Sequence, residues 1–371
     1  MLCHAPTALA APGPRGEQWW FQAWEIQNKV WPISRGRGVT VALIDSGVQA
    51  DITDLQGVVL PGIAYSETGT QARGDGRVDS DSELGGHGTA MATLIAGQGR
   101  GSRMMGVAPE SRILPIQASS QYNYPEAIRY AVDHGAKVIN FSEGVGYRCT
   151  DSIQDAVSYA ISNDVVIVAA SGNDPREPDT APGDCAGVLS VGALSHDLKI
   201  WEKSAPGRNV MVAGPGVSVG ATMKDGRFRP NLNGTSQAAA LSSGVIALMR
   251  SHYSAMSGRE VVQRLVATAK DVGPKGWDKW TGNGAMIPYL ALTAEVPHNA
   301  RNPAYEKLDT LQGMAPDVPK TESPAQHTRA VANEKVQGGG SSTGLLLGIA
   351  GSVVGLAVIA FAARRIMGRT R

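Results

Sequence analysis

An α/β fold with a mainly parallel sheet flanked by helices is predicted by three observations: short apolar or β-branched runs, helical stretches between them, and abundant glycine for tight turns. The runs are VTVALID, RILPIQA, KVINFS, VVIVAAS, GVLSVGA and NVMVAG. Their near-continuous apolar character suits strands buried on both faces, and the intervening helices supply the crossovers that parallel neighbours need. YPEAIRYAVDHG reads as a helix with Pro125 in its first turn and Gly135 at its end. DSIQDAVSYAISND repeats apolar residues at helical spacing. Ser257 and Glu260 form a capping box ahead of VVQRLVATA, which marks a further helix near the end of the domain.

The bounds agree with one catalytic domain plus appendages, since 371 residues with 42% hydrophobic and 18% charged side chains can bury a large core. Lys and Arg total 34 against 33 Asp and Glu, a net charge of +1 that provides no basic footprint for nucleic acid. Trp19, Trp20, Phe21, Trp24 and Trp31 cluster near the start and predict an amphipathic arm that docks on the domain.

Residues 344–363 run without a charge and are long enough, at roughly 1.5 Å per residue, to cross a hydrocarbon core of about 30 Å. They predict a transmembrane helix. Arg364, Arg365, Arg369 and Arg371 follow in the tail 364–371 and place it in the cytoplasm, with the preceding domain outside. Gly344, Gly348 and Ser352 have the small-residue spacing that lets another membrane helix approach closely. Residues 294–343 carry scattered Pro, Gly and charge with no apolar period, and read as a linker. Residues 1–17 read as a leader remnant or flexible N-terminus. ALAAP has the small-residue character of a cleaved signal's tail, but no basic or sufficiently apolar stretch precedes it, so either the true start lies upstream or the first residues have been trimmed.

The chemistry lies in three segments that occur in order: IDSG around Asp45, GGHGTAMA around His87 and NGTSQAAA around Ser236. They supply a carboxylate, an imidazole and a hydroxyl, the groups of a hydrolase that forms an acyl-enzyme. Asp45 ends the run VTVALID, where open α/β sheets gather their sites. His87 and Ser236 each open a helix, and a helix N-terminus offers free N–H groups to an oxyanion beside the Ser236 hydroxyl. Asn173 ends VVIVAASGN, and its amide can donate a second hydrogen bond there. Taken singly, each of these residues reads equally well as a turn or cap. Their combination in order carries the functional reading.

These segments resemble the subtilisin-like serine proteases, in which DSG or DTG, HGT, an Asn after an apolar strand and GTS follow one another in this order. The likeness covers residues 18–293, with GVAPESRILPIQ and VMVAGPGVSV as further landmarks. The resemblance implies that Asp45 orients and stabilises the imidazole, His87 is general base and then acid, Ser236 is the nucleophile, and Asn173 with the Ser236 amide forms the oxyanion hole. It also implies a substrate-binding segment at Ser142, Glu143 and Gly144. Relatives often have an apolar residue at the place of Glu143; a carboxylate there either favours a basic substrate side chain or stands as a solvated rim residue. Two departures are the absence of proline in QAAALSSG after Ser236 and of a long pro-domain.

With its Trp-bearing arm, Pro-rich linker and membrane helix, the chain is similar to the mycosins, proteases associated with bacterial type VII secretion. That likeness implies a single-pass protein of the cell membrane, processing secreted polypeptides outside the cytoplasm and stabilising the secretion complex among other transmembrane helices. The alternative is a catalytically dispensable scaffold with a protease fold. No cofactor is expected and no His and Cys cluster suggests zinc. The loop RGDGRVDSDSELGG holds Asp75, Asp79, Asp81 and Glu83, but their spacing matches no calcium loop, so it reads as a solvated acidic loop. Cys149 and Cys185 flank the helix and strand leading to Asn173, where a disulfide suits an exported protein; two free thiols are the alternative. Cys3 would leave with a leader or stay unpaired.

Overall fold

All six apolar runs become strands in the computed structural model, which describes residues 13–66, 69–144, 146–178 and 180–314. They are β1 (Thr40–Asp45), β4 (Arg112–Gln117), β5 (Val138–Phe141), β6 (Val166–Ala170), β7 (Leu189–Leu194) and β8 (Val210–Pro215). Short strands β2 (Ile63–Tyr65) and β3 (Ala72–Gly74) extend one edge, giving the order β3-β2-β4-β1-β5-β6-β7-β8. Every pairing is parallel except β2 with β3. A separate ribbon pairs β9 (Ala221–Thr222) with β10 (Phe228–Arg229).

The period of two along each strand divides the core. Val41, Leu43, Val138, Val166 and Val168 face one apolar layer, while Ala42, Ile44, Ile139, Phe141, Ile167 and Ala169 face the other. Helices α3 (Tyr124–Asp133) and α4 (Asp151–Ser162) cover the second layer. The first is filled by α2 (His87–Ala96), α5 (Thr235–His252) and α6 (Gly258–Ala267). Residues Thr235–Arg250 of α5 are all buried, so this helix is a core element with no solvent stripe. In α6 the capping box forms as its spacing predicts, with Glu260 N–H donating to Ser257 Oγ at 3.2 Å and Ser257 N–H to Glu260 Oε2 at 2.9 Å.

The arm docks as expected. It consists of α1 (Trp19–Ala23) and a π-helical turn at Ile26–Val30, with Trp20 fully buried and Phe21 packed edge-on against Trp31 at 5.3 Å. At its margins Trp31 Nε1–H donates to Val107 O at 2.9 Å and Gln18 Nε2–H to Met105 O at 2.7 Å, whereas the buried Trp20 Nε1–H has no partner among the described residues.

Beyond α7 (Pro288–Thr293) the structure departs from the sequence reading of a linker. Residues Pro303–Leu311 form α8, whose Ala304, Tyr305 and Leu308 are buried in the first apolar layer, with Arg259 paired to Asp309. These three apolar residues span little more than one helical turn, too short a pattern to stand out amid Pro and charge. Among the described residues no helix is long and apolar enough to cross a membrane. The expected membrane helix at 344–363, the basic tail, linker residues 315–343 and residues 1–12 lie outside the described residues.

Cys149 and Cys185 form a disulfide with 5.2 Å between Cα atoms, tying the entry of α4 to the loop before β7 across 36 residues of chain. Closing a loop of this length restricts the unfolded chain by roughly 4 kcal/mol. Cys185→Ser should therefore lower the unfolding free energy by about 4 kcal/mol in denaturant titrations. Reduced wild type should then match the variant, and an unchanged midpoint would contradict the assigned contribution.

Candidate active site

Parallel register brings the carboxyl ends of the central strands level: Asp45 pairs with Gln117, Ile44 with Phe141, and Phe141 with Ala169. The residues just beyond these ends therefore share one edge, as expected for an open α/β sheet. Asp45 occupies it directly, Ser142 and Glu143 follow β5, and Asn173 follows β6.

Asp45 is fully buried, and its Oδ1 accepts from Ser46 N–H at 2.8 Å and from His87 Nδ1 at 2.8 Å. An ionised carboxylate can only accept, so Nδ1 carries the proton and Nε2 of a neutral ring keeps its lone pair. His87 is the first residue of α2, and the approach of that helix to the Asp45 loop requires glycine next in sequence. A Cβ at Gly88 would lie 2.1 Å from Gly47 O and 3.0 Å from Asp45 Oδ1.

The acidic loop positions the histidine, which corrects the reading of it as merely solvated. Asp81 Oδ2 accepts from the N–H groups of Gly86 and His87 at 2.9 Å each, an anion placed on the α2 N-terminus. Burial opposes its ionisation, yet these bonds and those from Leu84 and Glu83 hold its carboxyl below the usual range. Asp79 is 3% exposed, with Oδ2 accepting from Thr89 N–H at 2.8 Å and Oδ1 from Ser46 Oγ at 2.9 Å. Burial raises its pKa against these hydrogen bonds. Lys224 Nζ donates to the carbonyl oxygens of both Asp79 and Asp81.

Ser236 is the second residue of α5 and is buried. Its Oγ donates to Ser142 O at 2.6 Å, while Ser142 Oγ donates back to Ser236 O at 3.0 Å. Asn140 extends the clasp, with Nδ2–H donating to Ser142 Oγ at 2.8 Å and Oδ1 accepting from Ser243 Oγ at 2.9 Å. Asn173 Oδ1 accepts from Thr235 N–H at 2.9 Å and Thr235 Oγ1 at 2.8 Å. A backbone N–H can only donate, so the amide orientation is determined and the two Nδ2 hydrogens are left as donors. Thr235 and Asn140 escaped the sequence reading, although Thr235 lies within the GTS segment itself.

Glu143, which the sequence leaves as either a contact for a basic substrate side chain or a solvated rim residue, is half-buried beside the histidine. Its Oε1 lies 3.8 Å from His87 Nδ1. Burial, reinforced by the Asp45 charge, pushes its carboxyl up to about 7. For His87, burial favours the neutral ring, but the charge and hydrogen bond of Asp45, with Glu143 adding, outweigh it and raise the pKa to about 9. Asp45, His87 and Glu143 each place one potential ligand atom within 4.8 Å of the others, as do Cys149, Asp184 and Cys185, where the disulfide occupies both sulfurs. Gly144 follows Glu143 on the same segment, 3.2 Å from Thr180 Oγ1 by its ideal Cβ position.

The pattern of the subtilase family matches residues 36–284. Mycosin-3 of Mycobacterium tuberculosis (strain ATCC 25618 / H37Rv) is 30% identical, covering 88% of this chain and 81% of its own. Fervidolysin of Fervidobacterium pennivorans is also 30% identical, covering 76% of this chain but only 44% of its own, so the chain spans less than half of that relative. The solved MycP3 protease from the type VII (ESX-3) secretion system superposes with a TM-score of 0.64 at 31% identity, over 78% of this chain and 90% of that one. The chain therefore belongs to the subtilase family, as a subtilisin-like serine endopeptidase with mycosins among its homologues.

Proposed function

We propose that the protein hydrolyses peptide bonds through an acyl-enzyme, with Ser236 as nucleophile, His87 as general base and then acid, and Asp45 holding the imidazole. Asn173 Nδ2 and the Ser236 amide form the oxyanion hole in this reading, and Ser142, Glu143 and Gly144 line the substrate. One observation carries it: the 2.8 Å bond from His87 Nδ1 to buried Asp45 shares a sheet edge with a hydroxyl at the head of α5. The Ser236 hydroxyl donates to the Ser142 carbonyl, and the proposed attack requires it to give up that acceptor for His87.

The wider role rests on likeness to MycP3 and on sequence. The domain is placed outside the cytoplasmic membrane on a C-terminal anchor at 344–363, processing type VII secretion substrates and stabilising the secretion complex. A fluorophosphonate probe tests the chemistry. It should label the full chain at Ser236, and Ser236→Ala and His87→Ala should take none; persistent labelling of Ser236→Ala refutes the assignment.

Protonated His87 cannot accept the Ser236 proton, so kcat/KM should rise with pH along a limb centred near 9. Stability runs oppositely. A ring raised in the folded state to about 9 adds stability that is full below its ordinary value of 6.5 and lost as pH rises through about 9. Activity profiles and thermal midpoints across this window should therefore move in opposite directions.

A further inference from the structure

Glu143 takes no direct part in the reaction proposed above, yet it stands beside the ring that does. Its backbone is fixed on both sides. The preceding residue is clasped to Ser236 by two hydrogen bonds, and Tyr124 Oη–H of α3 donates to Glu143 O at 3.3 Å. From that position the carboxylate reaches within 3.8 Å of His87 Nδ1, the same nitrogen that Asp45 binds at 2.8 Å, and its side chain is 32% exposed. The groups around it are Asp45 at the end of β1, His87 on α2, Asp79 and Asp81 in the loop before α2, and Tyr124 on α3. Lys224 is turned to the carbonyls of Asp79 and Asp81. Among the described residues, the ion-pair partner of Glu143 is His87.

We infer that Glu143 is a positioning residue that acts through His87: its carboxylate joins Asp45 in holding the imidazolium, and so governs the pH at which the ring can serve as a base. The single Nδ1 proton goes to Asp45, and 3.8 Å is beyond hydrogen-bond range, so Glu143 contributes charge alone. That charge stabilises the imidazolium formed when His87 takes the serine proton, and by the same token makes the resting ring hold its proton more tightly. The catalytic consequence rests on the proposed role of His87; the coupling of the two side chains does not.

The coupling is read by NMR titration of the His87 imidazole in full-length Ser236→Ala protein, with its signal assigned by loss in His87→Gln. Glu143→Gln should lower the His87 midpoint by about one pH unit, and Glu143→Asp should retain part of the effect. A Glu143→Gln midpoint within about 0.3 unit of its parent overturns the inference, since a charge this close shifts a neighbour by about one unit or more. In protein with Ser236 intact, Glu143→Gln should move the acid limb of kcat/KM down by a similar amount on peptides with neutral side chains and on peptides with Lys or Arg alike. A KM increase confined to Lys and Arg peptides, with the limb unmoved, overturns it in favour of substrate recognition. Wild type that neither cleaves peptide nor takes fluorophosphonate refutes the proposed function instead, and the titration still decides the coupling.

Discussion

Ser236→Ala should lower kcat by about 10⁶ with little change in KM, a magnitude borrowed from subtilisin, where nucleophile and base act as one unit. The physical reason is that the hydroxyl is the only atom lost, while the cleft and strand ends that hold substrate remain. His87→Ala should cost a similar factor, and the double variant scarcely more, because a base without its nucleophile has nothing to deprotonate. Steady-state kinetics on a fluorogenic peptide checks both, and multiplicative losses would contradict a shared role. Stability should change little: removing Oγ strips Ser142 O of one donor, worth about 1 kcal/mol. The same variant separates chemistry from scaffolding in the cell. If secretion persists while a substrate stays uncut, the fold serves the assembly independently of turnover.

Asn173→Ala should reduce kcat by roughly 10² to 10³, again leaving KM nearly unchanged, because an oxyanion-hole donor acts where charge develops in the transition state. Tertiary structure makes this a defined donor. Thr235 holds Oδ1 by a backbone N–H and a hydroxyl, so the amide cannot turn and its Nδ2 hydrogens are aimed without further cost. Thr235→Val tests that hold separately, because it removes the hydroxyl and keeps the backbone bond. A smaller loss than for Asn173→Ala is expected. A loss of less than about threefold for Asn173→Ala would remove Asn173 from the oxyanion hole.

The elements differ in how far they could be foreseen. Strands β1 and β4 to β8 were legible because burial on both faces demands apolar residues at most positions, whatever the partner. The ends of α3 and α6 were legible because Pro125, Ser257 and Glu260 act on backbone groups within one turn. By contrast α8 is held by three side chains against distant helices, and its Pro and charges outweigh them in any local window.

Within the site, the order of Asp45, His87, Asn173 and Ser236 is a property of the chain, since each sits where a local motif ends a strand or opens a helix. Which groups support them is not. Asp81 reaches the α2 N-terminus from six residues away, but Thr235 on Asn173 and Glu143 against His87 are contacts across 62 and 56 positions. Such pairs depend on how strands align in register and on the angle at which α2 and α5 enter the sheet edge. Local propensity encodes neither, whereas a carboxylate's charge and proton affinity depend on both. Sequence alone thus determined the scaffold and the groups proposed to react, and packing decided the environment in which each would ionise.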